Sequence, residues 1–189
     1  SLTAKKESNS PDFYKTLTGS YVKANRGAEV VAILDGISKK NPKDVQPLLS
    51  LGAYYEQAAQ PAKAMVAYEK VLSLDKNNAQ AYKGIGNVYF GQKKYMEALQ
   101  SYRKWAGKQF LFMGVDDAEI KIADCLEYLG KPEKALEEYE KMAQRAPQNQ
   151  EIQASIKRLN PEPRKIPNLQ LFPGPTEQAP SDTILSAPK

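Results

Sequence analysis

The chain contains no histidine, which excludes imidazole-based catalytic triads and histidine metal ligation. It contains one cysteine, Cys125, so no internal disulfide can form and cysteine usage leaves the compartment open. Cys125 stands among Ile122, Ala123 and Leu126, the setting of a buried, inert thiol rather than a nucleophile. Long hydrophobic runs are also missing: no stretch of about eighteen apolar residues occurs, so no segment reads as a membrane-spanning helix. Neither sign of charge dominates, with 27 Lys and Arg against 22 Asp and Glu. The net charge is +5 over 189 residues, and lysines alternate with glutamates, as at Glu133-Lys134 and Glu140-Lys141. That alternation marks a solvated helical face rather than a nucleic-acid patch. The short basic cluster of Lys39, Lys40 and Lys43 surrounds a helix end, where cations stabilise the negative end of the dipole. With 41% apolar and 26% charged residues, the composition supports one domain of ordinary size with flanking segments.

What the sequence does have is internal repetition. Leu51-Gly52 with Tyr55 reappears as Ile85-Gly86 with Tyr89, and Ala64 with Tyr68 reappears as Ala98 with Tyr102. Both sets are offset by about 34 residues, a period that signals stacked helical hairpins. The frame extends upstream through Tyr14, Leu17, Tyr21, Val30, Leu34 and Pro42, and downstream through Ile122-Ala123, Leu126, Ala135, Tyr139 and Pro147. Within each unit the apolar residues recur at three- and four-residue steps, which places them on one helix face. Gly52 and Gly86 allow close packing of paired helices, and Ala64, Ala98 and Ala135 do the same on the second helices. Pro61 and Pro132 stand where second helices should begin, a position that tolerates a missing N–H. Asp116 followed by Glu119 has the spacing of a capping box. Turns are expected at Asn25-Arg26-Gly27, Ala59-Gln60 and Leu129-Gly130-Lys131.

These residues resemble the tetratricopeptide repeat (TPR): a large residue, Leu-Gly, Tyr, then Ala and an aromatic. The resemblance implies an all-α, right-handed solenoid of about four helix-turn-helix repeats. The repeats are read at 11–44, 45–78, 79–115 and 116–149, within a domain at 11–159. Residues 148–159 read as a capping helix, with Ile152, Ile156 and Leu159 on one stripe and Glu151, Gln153 and Lys157 opposite. The signature tyrosines, leucines and alanines are read as core, not as site.

In TPR proteins the first helices line a concave surface, so the resemblance implies a partner-binding groove on their remaining face. Here that face offers Lys15 and Lys23, then Gln46, Leu49, Ala53 and Glu56. Gln80, Lys83, Asn87 and Phe90 follow, and then Asp117, Ile120, Asp124 and Glu127. The lining is lysine-containing at one end and acidic at the other, with apolar spots at Leu49, Phe90 and Ile120. It suits a peptide with hydrophobic anchors and polar flanks. Lys83-Gly84-Ile85-Gly86-Asn87 resembles the opening of the carboxylate clamp with which some TPR domains bind acidic C-termini. The rest of that clamp is missing: Lys121, Glu151 and Ser155 occupy the remaining positions, and Glu151 would repel a carboxylate. The implied role is a non-enzymatic protein–protein interaction scaffold or assembly adaptor with a protein or peptide partner, and no metal or cofactor is expected. Asp116, Asp117, Glu119 and Asp124 form the best acidic cluster, but capping accounts for Asp116 and Glu119.

Two features lie outside the repeat. Trp105 and the run Phe110-Leu111-Phe112-Met113 concentrate bulky residues beside an insertion, and Trp105, Phe110, Phe112 and Met113 are read as a secondary contact surface. Residues 160–189 are rich in proline with Gln, Ser and Thr, and read as an extended or disordered tail. Within them, Ile166–Pro173 carries apolar residues spaced between prolines and could dock on the solenoid or on a neighbour. The alternative function is therefore a self-assembling structural protein that uses the tail or the 105–113 insert. Residues 1–10 form a polar leader beginning at Ser1 rather than Met, which suits a tether behind a removed signal or anchor. This favours a periplasmic or membrane-tethered soluble domain, with the cytoplasm as the alternative.

Overall fold

The computed structural model describes residues 10–107 and 115–160. Residues 1–9 of the leader, Phe110, Phe112 and Met113, and residues 161–189 of the tail with Ile166–Pro173 lie outside the described residues. Among those described there are nine helices and no strand: α1 (Pro11–Lys23), α2 (Gly27–Lys40), α3 (Gln46–Gln57), α4 (Pro61–Leu74), α5 (Ala79–Gly91), α6 (Tyr95–Ala106), α7 (Asp117–Tyr128), α8 (Pro132–Arg145) and α9 (Gln150–Leu159). Each helix packs on the next, and in addition α1 touches α3 and α3 touches α5. The first helices of successive pairs therefore stand side by side. The fold is an all-helical solenoid closed by α9.

The helices begin where local chemistry satisfies their free N–H groups. Ser10, Asn78, Asp116 and Asn149 accept from backbone N–H groups of α1, α5, α7 and α9. Asp116 and Glu119 complete the reciprocal capping box, which satisfies two orphan donors at once. Pro61 and Pro132 open α4 and α8, where the missing N–H costs nothing.

The four turns inside the helix pairs are copies of one another. Arg26 N–H donates to Tyr21 C=O, Gln60 to Tyr55, Lys94 to Tyr89 and Lys131 to Leu126, at 2.8–3.0 Å. These are the six-to-one bonds of a Schellman ending. Each turn needs one residue in the left-handed region, and the four are Asn25, Ala59, Lys93 and Gly130. Alanine pays the steric penalty between Cβ and the following carbonyl that glycine avoids. Ala59 has φ 53° and its side chain is exposed, so no packing is lost with it. Ala59→Gly is expected to raise stability by about 1 kcal/mol and the thermal midpoint by about 2–4 °C. Thermal unfolding followed by circular dichroism checks this; an unchanged or lower midpoint contradicts it.

The core runs along the solenoid in two connected clusters. Tyr14, Val30, Leu34, Tyr68 and Val71 centre the first, and Tyr102, Trp105, Tyr139, Met142 and Ile152 the second. Tyr89 packs against both. Cys125 is fully buried in the second cluster, and burial pushes its thiol pKa up to about 12. It is a packing residue.

Each second-helix tyrosine lies across the first helices. A Cβ at Gly86 would stand 2.5 Å from Tyr102 Cε1. The Tyr68 ring is enclosed from two sides, since a Cβ at either Gly52 of α3 or Gly84 of α5 would penetrate it. The glycine at 52 is part of the repeat pattern. The one at 84 is not, and together they let α3 and α5 close around one ring.

Candidate functional site

The side-by-side first helices leave an open cavity of about 480 Å³, lined by Lys15, Leu49, Ala53, Glu56, Gln57, Tyr68, Gln80, Lys83, Gly84 and Asn87. Lys15 comes from α1, the residues from Leu49 to Gln57 from α3, and those from Gln80 to Asn87 from α5. Leu49, Ala53 and Gly84 make an apolar floor. Lys15 is exposed and has no ion-pair partner among the described residues. Lys83 Nζ lies 4.6 Å from the Trp105 ring centroid and 3.9 Å from Asp117. An exposed pair at that separation is worth little, so the ammonium stays available to the cavity.

Polar groups of the floor are already organised by the fold. The Tyr68 hydroxyl donates to Glu56, the Asn87 side chain bonds the same carboxylate, and the Tyr102 hydroxyl donates to Asn87 Oδ1 at 2.9 Å. One unit further on, the Tyr139 hydroxyl donates to Asp124 at 2.7 Å. Asn87 and Asp124 follow Gly86 and Ala123 directly and receive the tyrosine at equivalent places. The matching residue of the preceding unit is Ala53, which cannot accept, so Tyr68 reaches Glu56 one turn away instead. Burial raises the Glu56 pKa, opposed by the bonds from Tyr68 and Asn87 and by the Lys83 charge. Burial also raises the pKa of Tyr68, Tyr102 and Tyr139, so all three hydroxyls remain donors at neutral pH.

The residues expected in the groove thus divide. Lys15, Leu49, Ala53, Glu56, Gln80, Lys83 and Asn87 meet at one cavity, although Leu49 is only 7% exposed and is mostly core. Gln46 begins α3, where its N–H is taken by Asp44 at 3.0 Å, away from the cavity lining. Phe90 is half-buried, away from this cavity, and its ring packs edge-on against Tyr95 and Tyr128, at 5.4 and 5.5 Å. Ile120 packs against the second core cluster. The acidic end is largely neutralised. Glu127 pairs with Arg158 of α9, Asp124 serves Tyr139 and Lys121, and Glu119 pairs with Arg145 at 2.8 Å; only Asp117 remains well exposed. Trp105, expected on a contact surface, is 4% exposed and packs beside Tyr102 at 6.1 Å. Gln57, Tyr68 and Gly84 line the cavity without having been expected there. The helical position of Gln57, one step past Glu56, was the available signal for that residue.

Family comparison decides what kind of solenoid this is. Two family models described as tetratricopeptide repeat match the chain, one at residues 67–100 and the other at residues 45–78 and 120–149. The chain is a TPR protein. Solved TPR structures share its fold. MamA is 22% identical, with a TM-score of 0.64, over 75% of this chain and 81% of that one. PilF of Pseudomonas aeruginosa is 19% identical, with a TM-score of 0.63, over 79% of this chain and 67% of that one. YrrB, a TPR protein with an unusual peptide-binding site, is 22% identical, with a TM-score of 0.58, over 67% of this chain and 64% of that one. At these identities the likeness concerns the fold alone. No curated protein sequence matches the chain. TPR architecture makes it a protein–protein interaction scaffold in the general sense.

Proposed function

We propose that this scaffold is a non-enzymatic adaptor that takes an extended segment of a partner protein in the groove between α1, α3 and α5. The observation that carries the reading is the composition of the cavity. An apolar floor of Leu49, Ala53 and Gly84 is bordered by two lysines and by the amides of Gln57 and Gln80. Such a surface offers a pocket to an apolar side chain and hydrogen bonds to the main chain on either side. The floor needs no rearrangement on binding, because tyrosine hydroxyls already hold Glu56 and Asn87 in place. Preorganisation of this kind lowers the cost of association. YrrB supports the reading by analogy, as a similar fold with a peptide site.

Asn87 receives the Tyr102 hydroxyl and Phe90 packs against Tyr95 and Tyr128, so both are left intact. Peptides selected from a displayed random library on the wild-type protein should bind with dissociation constants near micromolar. Lys15→Glu/Lys83→Glu should weaken them by about tenfold or more. Lys83 also covers the Trp105 ring and faces Asp117 and Glu56. The exposed Lys15→Glu alone, with an unchanged thermal midpoint, therefore separates lost binding from lost stability. Fluorescence anisotropy of labelled peptides measures this. Equal affinity for wild type and double variant would place the bound peptide elsewhere.

A further inference from the structure

The groove makes no use of the edge formed by the four turns within helix pairs. Those turns lie side by side. The Cβ position at Gly27, which opens α2, meets Tyr54 near the end of α3. Tyr95 at the head of α6 stacks on Tyr128 at the tail of α7, with centroids 4.7 Å apart. Lysines recur along the row: Lys23, Lys63, Lys93 with Lys94, and Lys131, all exposed. None of these five has an ion pair among the described residues. The Lys63 and Lys94 ammoniums lie over the Tyr55 and Tyr89 rings, at 5.5 and 6.0 Å, so their stems cover apolar surface while their heads face solvent.

The same edge carries apolar and amphipathic tips. Met96 is 43% exposed and Tyr128 60% exposed. Its carboxylates are fewer than its cations: Glu29 is held by Arg26 at 2.5 Å, leaving Glu97 and Glu133. The opposite edge carries both signs in like number, with Lys39, Lys40, Lys43 and Lys76 standing among Asp44, Asp75, Asp116 and Asp117.

We infer that the turn edge is a docking surface for an anionic lipid bilayer. The lysines are set in a row rather than converged on a point, which suits a diffuse sheet of negative charge more than a single bound phosphate. Tyrosine and methionine between them match the headgroup layer, where amphipathic rings concentrate. A nucleic-acid duplex shares the phosphate charge but has no apolar layer to receive Met96 and Tyr128. No helix among the described residues is long and apolar enough to cross a membrane, so this contact is peripheral, reversible and salt-sensitive. Each lysine at an acidic surface contributes roughly fivefold to partitioning.

The test is co-sedimentation of the full chain with vesicles of phosphatidylcholine containing phosphatidylserine, and with vesicles of phosphatidylcholine alone. Binding is expected to the acidic vesicles only, and to vanish at high salt. Lys63→Glu/Lys93→Glu/Lys94→Glu should lower it by roughly a hundredfold or more with unchanged circular dichroism, since all three side chains are exposed. Met96→Ser/Tyr128→Ser should weaken it by a smaller factor at every salt concentration, and Lys15→Glu/Lys83→Glu should leave it intact. The inference is overturned if acidic vesicles do not bind the wild type, or if the triple variant binds them equally well. It is also overturned if duplex DNA binds as tightly as the vesicles and Met96→Ser/Tyr128→Ser affects neither.

Discussion

Tyr68→Ala is expected to destabilise the protein by about 3–5 kcal/mol, the range for deleting a buried aromatic side chain. The reason is specific to this ring. Tyr68 is 4% exposed and fills the space between α3 and α5, where both facing residues, Gly52 and Gly84, have no side chain to move inward. The hole left behind therefore cannot be closed by neighbouring rotamers. The hydroxyl adds a second, separable part. Tyr68→Phe keeps the ring but removes the donor to Glu56, at a cost of about 1.5 kcal/mol. That is the lower end for a bond to a charged group, because Glu56 stays open to the groove. Urea unfolding of the three proteins resolves the two parts. Similar losses for Ala and Phe would mean that the ring contributes little, contrary to this account.

Gly52→Val is expected to cost about 3 kcal/mol, at the upper end for overpacking a tight interior. Its Cβ would stand 2.4 Å from Tyr68 Cε1, and the ring cannot retreat because Gly84 backs it from the other side. Gly36→Ala provides the opposite sign in the same experiment. Gly36 lies within α2, and nothing stands within 4 Å of its Cβ position. Replacing it should stabilise by about 1 kcal/mol through helix propensity alone. Two glycines that look alike in the sequence thus differ in sign by their surroundings. Thermal midpoints moving in the same direction for both variants would contradict this.

Much of the fold could be read in the chain because its determinants are local. The steps between Asn25, Ala59, Lys93 and Gly130 repeat the spacing of the aromatic pattern, since each unit closes its hairpin with the same turn. Caps and proline starts are likewise decided within a few residues. The site was less legible. Glu56, Asn87 and Asp124 were expected on the groove face, but their second duty, receiving a tyrosine hydroxyl from the following helix, depends on an approach between helices. Trp105 reads in the sequence as contact surface, and its burial beside Tyr102 changes that reading, while half-buried Phe90 packs edge-on against Tyr128. The acidity of α7 was visible, whereas its neutralisation by Arg145 and Arg158 came from helices one and two steps later.

By itself, the sequence determined that the chain is a stack of helical hairpins, where the helices start and turn, and which tyrosines are core. Periodicity and capping follow from the geometry of a single helix, so spacing alone conveys them. Only the tertiary structure decided that Gly84 joins Gly52 in enclosing Tyr68, which residues of the concave face share one cavity, and that lysines from four separate turns fall along one edge. Those facts depend on how closely and at what angle one helix meets another about a repeat away, and no pattern within either helix encodes that distance.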